Sequence, residues 1–433
     1  MRIGIVIDWN PHASSLMNIA RNMFRELGKL MNEKQTFTIT ALRKDALGIG
    51  DINQHYDCVH IPNMGGYAFP SDKMLSCKNL ILGPSGIDEV IYGAEVFFDK
   101  SLWKRHEPLI KKEVSRWPKH IDKISTVHVV TKSELNEMHQ YLKIPKEKMT
   151  IIPHGVDHNL FKLPKNKSET RKKILGKFDL DDGPYFIHVS EINYARKNLF
   201  RMLDAFKKAR DKKIPQKLIL IGKTLPPISK KIKGYKDVIQ LGYVSDDELV
   251  SLIQGSDAIV LPSIHEGFGM PLLESMACGV PSITMNNHAP PEVVEDSGLL
   301  VDSHDIDDIA TKMIEINRDE FLKDLSEKAF SLSQKYSWEK HATQILSLYS
   351  KSTPVKQNWN FDDSYDLAAY RTLATIVELF ADEKKDILSQ SLLNFDYQKI
   401  VSWSIKTGLS MTQCKDFLLP FKEWLLSKNM EHN

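Results

Sequence analysis

The chain has 433 residues, of which 42% are hydrophobic and 26% charged, with a net charge of +2. That length predicts two or three domains at roughly 100–200 residues each, and so even a charge balance excludes the global basic field of a nucleic-acid binder. The four cysteines, Cys58, Cys77, Cys278 and Cys414, form no C-x-x-C pair, which argues against a zinc ribbon or a disulfide framework and for a reducing, cytoplasmic compartment.

The first segment, RIGIVI (2–7), is shorter than the ~7–15 residues of a signal-peptide core and reads as a buried strand. No apolar run reaches the ~18–20 residues that span a bilayer, so any membrane contact would be peripheral. Further strands are expected at 37–42, 58–62, 79–83, 127–131 and 149–153, with helical periodicity over 12–30 and 133–142. A lysine-rich stretch, 163–183, reads as linker plus surface helix. The second half repeats the style, with strands at 185–190, 217–222, 238–244, 258–262, 281–285 and 298–302. Helices are expected at Leu199–Arg210, Asp246–Gln254, Leu272–Cys278 and 337–351. Alternating strands and helices predict α/β architecture with parallel sheets. The last stretch carries helical patterns alone, at Ser364–Phe380 and Cys414–Ser427.

One string carries most of the chemistry: LPSIHEGFGMPLLESMACGVP (261–281). A strand ends at Pro262, a loop holds Gly267 and Gly269 around Phe268, and a helix starts near Met270–Pro271, with proline suited to its first turn. Free N–H groups then face outward at the strand's carboxyl end, the ligand crevice of an open α/β sheet. A diphosphate is the natural guest of such a helix start, although the dipole supplies only ~0.3–1 kcal/mol per charge, so cationic side chains should assist. Glu266 and Glu274 flank the seat. Carboxylates so placed make sense as acceptors for sugar and ribose hydroxyls.

This string resembles the signature of glycosyltransferase family 4, the "glycosyl transferases group 1", in its mannosyltransferase-like branch. The resemblance implies a GT-B fold: two doubly wound Rossmann-like domains facing a cleft. The expected division is an acceptor domain at 1–160, a nucleotide-sugar donor domain at 161–335, a crossover helix at 336–352 and a helical C-terminal extension at 353–433. It implies that Glu266 contacts the donor sugar and Glu274 the ribose. The Gly267, Phe268, Gly269 and Met270 backbone would approach the donor. ARKNLFRMLDAF (195–206) resembles the family's diphosphate-binding segment, which assigns Arg196 and Lys197 to the phosphates. Gly222 and Val244 fall near the nucleotide. Ser245 and Glu248 read as a helix cap, and Glu292 as structural.

The acceptor half departs from the family. Ser85 stands where relatives carry a histidine, and DWNPHASS (8–15) lacks the usual glycine pair, for which Gly65–Gly66 is a substitute. His60 and His154 are further acceptor-side candidates, both with a structural alternative. The basic stretch 100–123, with Trp103 and Trp117, suits either an anionic membrane surface or a solvated helix with its tryptophans in the core.

The resemblance implies retaining transfer of a hexose from an NDP-sugar, GDP-mannose or a UDP-sugar, to a hydroxyl of a glycan or lipid-linked acceptor. It implies no metal and no required cofactor. The rival readings are a nucleotide-sugar or glycan-binding scaffold without turnover, and a GT-B sugar-nucleotide epimerase.

Overall fold

A computed structural model describes residues 1–7, 19, 22–23, 25–31, 37–43 and 56–352, except 76, 78, 98–99 and 192–194. The loop at 8–15 and the helical patterns of 353–433 lie outside the described residues.

The described strands form two six-stranded parallel sheets. The first contains β1 (Arg2–Ile7), β2 (Thr38–Arg43), β3 (Cys58–Gly65), β4 (Leu80–Ser85), β5 (Thr126–Val129) and β6 (Met149–Ile151). The second contains β7 (Tyr185–Val189), β8 (Lys217–Ile221), β9 (Val238–Gly242), β10 (Ala258–Leu261), β11 (Ser282–Met285) and β12 (Gly298–Val301). Their orders are β2-β1-β3-β4-β5-β6 and β12-β11-β10-β7-β8-β9. Both are doubly wound orders. In the second sheet the order reverses between β7 and β10, which opens a crevice beyond their carboxyl ends.

The apolar runs explain the sheets. β10 and β11 are buried along their whole length, as expected of parallel strands covered on both faces. In the first sheet, period-2 alternation sends Val59 and Ile61 to one core and Cys58 to the other. That second face is covered by the crossover helix Trp338–Ser352, which brings Ala342, Ile345 and Tyr349 onto Ile3, Ile5 and Ile81. Each such side chain contributes about 1.5–3 kcal/mol on full burial, so the last described helix is welded to the first half.

Among the described residues the chain passes between the halves twice, and the two passages touch. Val156 bridges to Ser337, and a Cβ on Gly155 would lie 2.2 Å from the Trp338 nitrogen. Only glycine permits that approach.

Two local expectations sharpen here. The lysine-rich stretch forms a helix, Lys167–Lys177, capped by Asn166. Ser245 and Glu248 form a complete capping box. The basic helix runs Lys100–His120. Its Trp117 is fully buried, donates its indole N–H to the Tyr67 carbonyl at 3.1 Å and packs edge-on to Phe69. Trp103 lies against Gly93 and Phe97. Trp117 is therefore a core residue, and the membrane-resting reading loses it. Among the described residues, no helix is long and apolar enough to cross a membrane.

Candidate active site

The β7–β10 crevice gathers charges from both sides of the switch point. Lys197 follows β7 and Glu266 follows β10. Lys197 Nζ donates to Glu266 Oε1 at 2.6 Å, and Ser263 Oγ donates to the same oxygen at 2.7 Å. Arg196 Nη1 lies 3.8 Å from Glu266 Oε2. The Lys197 and Glu266 side chains are only 12% and 8% exposed. Burial pushes the Glu266 carboxyl up, but Lys197, Arg196 and Ser263 overcome it and hold the pKa at about 2.

The scaffold behind this pair is specific. Asn198, at φ 57°, donates through Nδ2 to the carbonyls of Pro262 and Ser303 at 2.9 and 2.6 Å. The Ile264 N–H donates to the Arg196 carbonyl at 2.7 Å. These bonds tie the basic segment to the end of β10. Asn198 was not singled out from sequence because its partners follow β10 and β12; Ser263 was not singled out although Glu266 lies three residues on in the same loop.

The glycines mark close approaches. Gly269, at φ +90°, precedes the helix Met270–Ala277 as its N-cap, with Pro271 in the first turn. Gly222, at φ +129°, lies where a Cβ would meet the Ser190 carbonyl oxygen at 1.8 Å, so its smallness serves the neighbouring chain segment as well as any nucleotide. Phe268 turns its side chain into the core, against His154 at 5.1 Å and Tyr336 at 6.1 Å, leaving its backbone to the crevice. Val244 is half-buried against the same core. Glu274 is half-buried on that helix, beyond its first turn, and burial, reinforced by Asp246, raises its pKa to about 7.

The first half closes over this crevice. Asp88 reaches Arg196 Nε at 3.4 Å. Gly267 approaches Gly86 and Glu134. Glu134 is buried and accepts from the Val130 N–H at 2.7 Å and from the Gly86 N–H, while burial raises its pKa to about 8. Glu292 accepts from the backbone N–H groups of Lys132 and Ser133 at 2.9 and 2.5 Å, capping the helix Lys132–Leu142 from the opposite half. This gives its structural role a definite partner.

The acceptor-side candidates separate. Ser85 Oγ donates to the Met64 carbonyl at 3.3 Å, beside the Gly86 loop that meets Gly267. His60 is fully buried, with Nδ1 hydrogen-bonded to Tyr349 Oη at 2.8 Å, so it belongs to the crossover-helix packing and not to the cleft. His154 is wedged among Phe268, Trp338 and His341. Gly66 packs on the Gly86 carbonyl, where a Cβ would sit at 1.6 Å, so its close approach is to the protein's own backbone.

Residues 170–332 match the family model described as glycosyl transferases group 1. O-antigen chain mannosyltransferase B of Escherichia coli is 37% identical over 110 residues, covering 25% of this chain and 29% of its own. The chain spans less than a third of the length of the E. coli mannosyltransferases it matches. Sucrose-phosphate synthase from Thermosynechococcus elongatus superposes with a TM-score of 0.62 at 16% identity, covering 81% of this chain and 98% of its own. Anabaena HepE, solved in complex with UDP and glucose, gives 0.60 at 15% identity, covering 81% of this chain and all of its own. Residues 170–332 are thus similar to glycosyl transferases group 1, and the two-sheet architecture is that of the GT-B fold.

Proposed function

We propose that the protein is a hexosyltransferase that moves a sugar from a nucleotide-sugar donor to a hydroxyl acceptor, with retention at the anomeric carbon. The observation that carries this reading is the Lys197–Glu266–Arg196 cluster at the β7–β10 switch point, beside the Gly269-capped helix start. Arg196, Lys197 and the helix-start amides take the diphosphate, a preorganised arrangement that stabilises charge developing on the leaving oxygen. Glu266, kept ionised, accepts from sugar hydroxyls, and Glu274 accepts from the ribose. The C1–O bond to the diphosphate breaks with its electron pair on the phosphate oxygen. The acceptor oxygen bonds C1 from the same face and passes its proton to the departing phosphate.

GDP-mannose is the first donor, supported by the mannosyltransferase relatives; a UDP-sugar is the alternative, supported by the UDP and glucose bound in HepE. The acceptor is a glycan or lipid-linked hydroxyl. We place 1–160 on the acceptor side and 161–335 on the donor side. We place the protein in a reducing, cytoplasmic setting, which suits the burial of Cys58, Cys77 and Cys278.

The test is donor binding followed by turnover. A cognate donor at ~100 times its Kd adds about 2.7 kcal/mol of stability. Slow donor hydrolysis, abolished in Glu266→Ala, is expected of the intact chain. No stabilisation by any GDP- or UDP-sugar overturns the reading. Ser85, bonded to the Met64 carbonyl where the family resemblance implies a histidine, favours a scaffold as the second reading; tight donor binding without turnover across an acceptor panel would select it.

A further inference from the structure

Beyond the donor crevice, three metal-ligating side chains converge from opposite sides of the cleft. Glu137 comes from the first half, on the helix Lys132–Leu142. His265 precedes Glu266 in the second half, and His288 follows β11. His265 Nε2 lies 3.0 Å from Glu137 Oε2, and His288 Nδ1 lies 2.6 Å from Glu137 Oε1. One ligand atom from each of the three residues falls within 4.8 Å of the others. A tetrahedral zinc with bonds of about 2.0–2.2 Å sets its ligand atoms about 3.3–3.5 Å apart. The cluster therefore needs only small side-chain rotations to close on an ion.

We propose that Glu137, His265 and His288 form a divalent transition-metal site of the zinc class, spanning the two halves of the molecule. Three features beyond proximity support it. The donor set is chemically coherent, since two imidazoles and one carboxylate suit Zn2+ and Co2+ and leave a fourth position open. The location is sequestered, with His265 only 1% exposed and the His288 and Glu137 side chains at 13% and 11%. An outer support is already in place. Tyr92 Oη lies 2.5 Å from His288 Nε2, the kind of partner that fixes the tautomer and ring orientation of a ligating histidine. When the metal binds, the His288 proton resides on Nε2 and is donated to Tyr92, which frees the Nδ1 lone pair.

The site would act as a staple. Glu137 and Tyr92 belong to the first half, His265 and His288 to the second, so occupancy ties the halves together next to Glu266. Sequence separation hid the arrangement: Glu137 is 128 and 151 residues from its partners, and neither histidine has a second ligand at metal-site spacing.

The test uses the full chain, stripped with chelator and titrated with Co2+, and reads the d–d absorption of a low-coordinate site. One Co2+ per chain is expected, displaced by stoichiometric Zn2+. His265→Ala and His288→Ala each abolish the band, and Tyr92→Phe weakens binding by about 10–100-fold, as loss of an outer-shell partner does. The near-isosteric Glu137→Gln keeps the test valid if an alanine variant fails to fold, and it weakens binding at least as much as Tyr92→Phe. Absence of a band, or a band that survives in both histidine variants, overturns the site and leaves the three side chains as a hydrogen-bonded clasp. The readout is metal uptake by the ligand-free protein, so its outcome is independent of whether sugar transfer is the activity.

Discussion

The two halves are built on the same plan, yet they treat buried polar groups differently. In the second half most are partnered, Gln216 Oε1 and Ser282 Oγ excepted. His188 is completely buried, but Nδ1 bonds the Val260 carbonyl at 2.8 Å and Nε2 the Ser190 hydroxyl at 2.7 Å. Lys197 and Glu266 neutralise each other, and Asn198 fills two backbone carbonyls. In the first half and its crossover helix, four buried histidines stand in a row. The ring centroids of His60 and His128 are 5.5 Å apart, of His128 and His341 6.0 Å, and of His341 and His154 5.8 Å. Both nitrogens of His128 and one on each of the others lack a protein partner. The half that holds the family-model match is the one whose interior charges pair at a crevice; the other carries a core of imidazoles that burial keeps neutral.

The largest effect that should separate the halves is acidification. Burial lowers the pKa of His128 to about 3 and of His341 to about 4, and it drives His60 and His154 well below their usual value. The unfolded chain, titrating near 6.5, then binds more protons than the native one below that pH. Stability contributed by these groups is intact above pH ~6.5 and falls below it by up to ~1.4 kcal/mol per pH unit for each histidine. His188, lowered to about 4, supplies the same slope in the second half. Hydrogen exchange at pH 5 should therefore loosen β3 and β5 well before β10 and β11. Equal loosening of both sheets would break the comparison.

A smaller effect probes the second half. Lys197→Met leaves the Glu266 carboxylate buried without its principal counter-charge, which costs about 3–5 kcal/mol for a broken buried pair. Denaturant unfolding should show that loss together with loss of donor binding. A change below ~1 kcal/mol would mean that Arg196, at 3.8 Å, already suffices.

The smallest effect lies between the halves. Glu292→Gln replaces a charged cap on the Lys132–Leu142 helix with a neutral one, a change of about 0.5–2 kcal/mol. The Lys132 and Ser133 amides should exchange faster while the second sheet stays protected. Unchanged exchange there would show that Thr131, which accepts from the Glu134 N–H at 3.0 Å, holds the helix start unaided.

Most of the fold was legible because parallel strands are short apolar runs and each falls where its run does. Their ends moved where local geometry intervened. β3 continues to Gly65 because the register shifts between Ile61 and Met64, which keeps Gly65 paired with Ser85. The β7–β10 charge cluster was legible because Lys197 and Glu266 each follow a strand end, and the topology brings them together. What was not legible depends on contact between the halves. Asp88 against Arg196, Glu292 on the Lys132–Leu142 helix, and Glu137 between two histidines leave no periodicity or spacing in the chain. Trp117 was left between a membrane surface and the core for a related reason: flanking lysines and arginines describe the exposed face of its helix, while the indole lies on the opposite one, in the core.

The touching passages at Val156 and Ser337 confine how the cleft can open. Two separated linkers would let the halves slide, shear and twist independently. Here the linkers are clasped at one point, with the Gly155 backbone set against the start of the crossover helix. If the halves part, these described contacts favour a swing about that point, like a door on a single pin. Its travel is greatest at the far rim of the cleft and least beside Phe268, which touches His154 next to the pin. A bulky side chain at position 155 would force that pin apart, shifting the arc of closure and with it the registry between the Gly86 loop and Glu266.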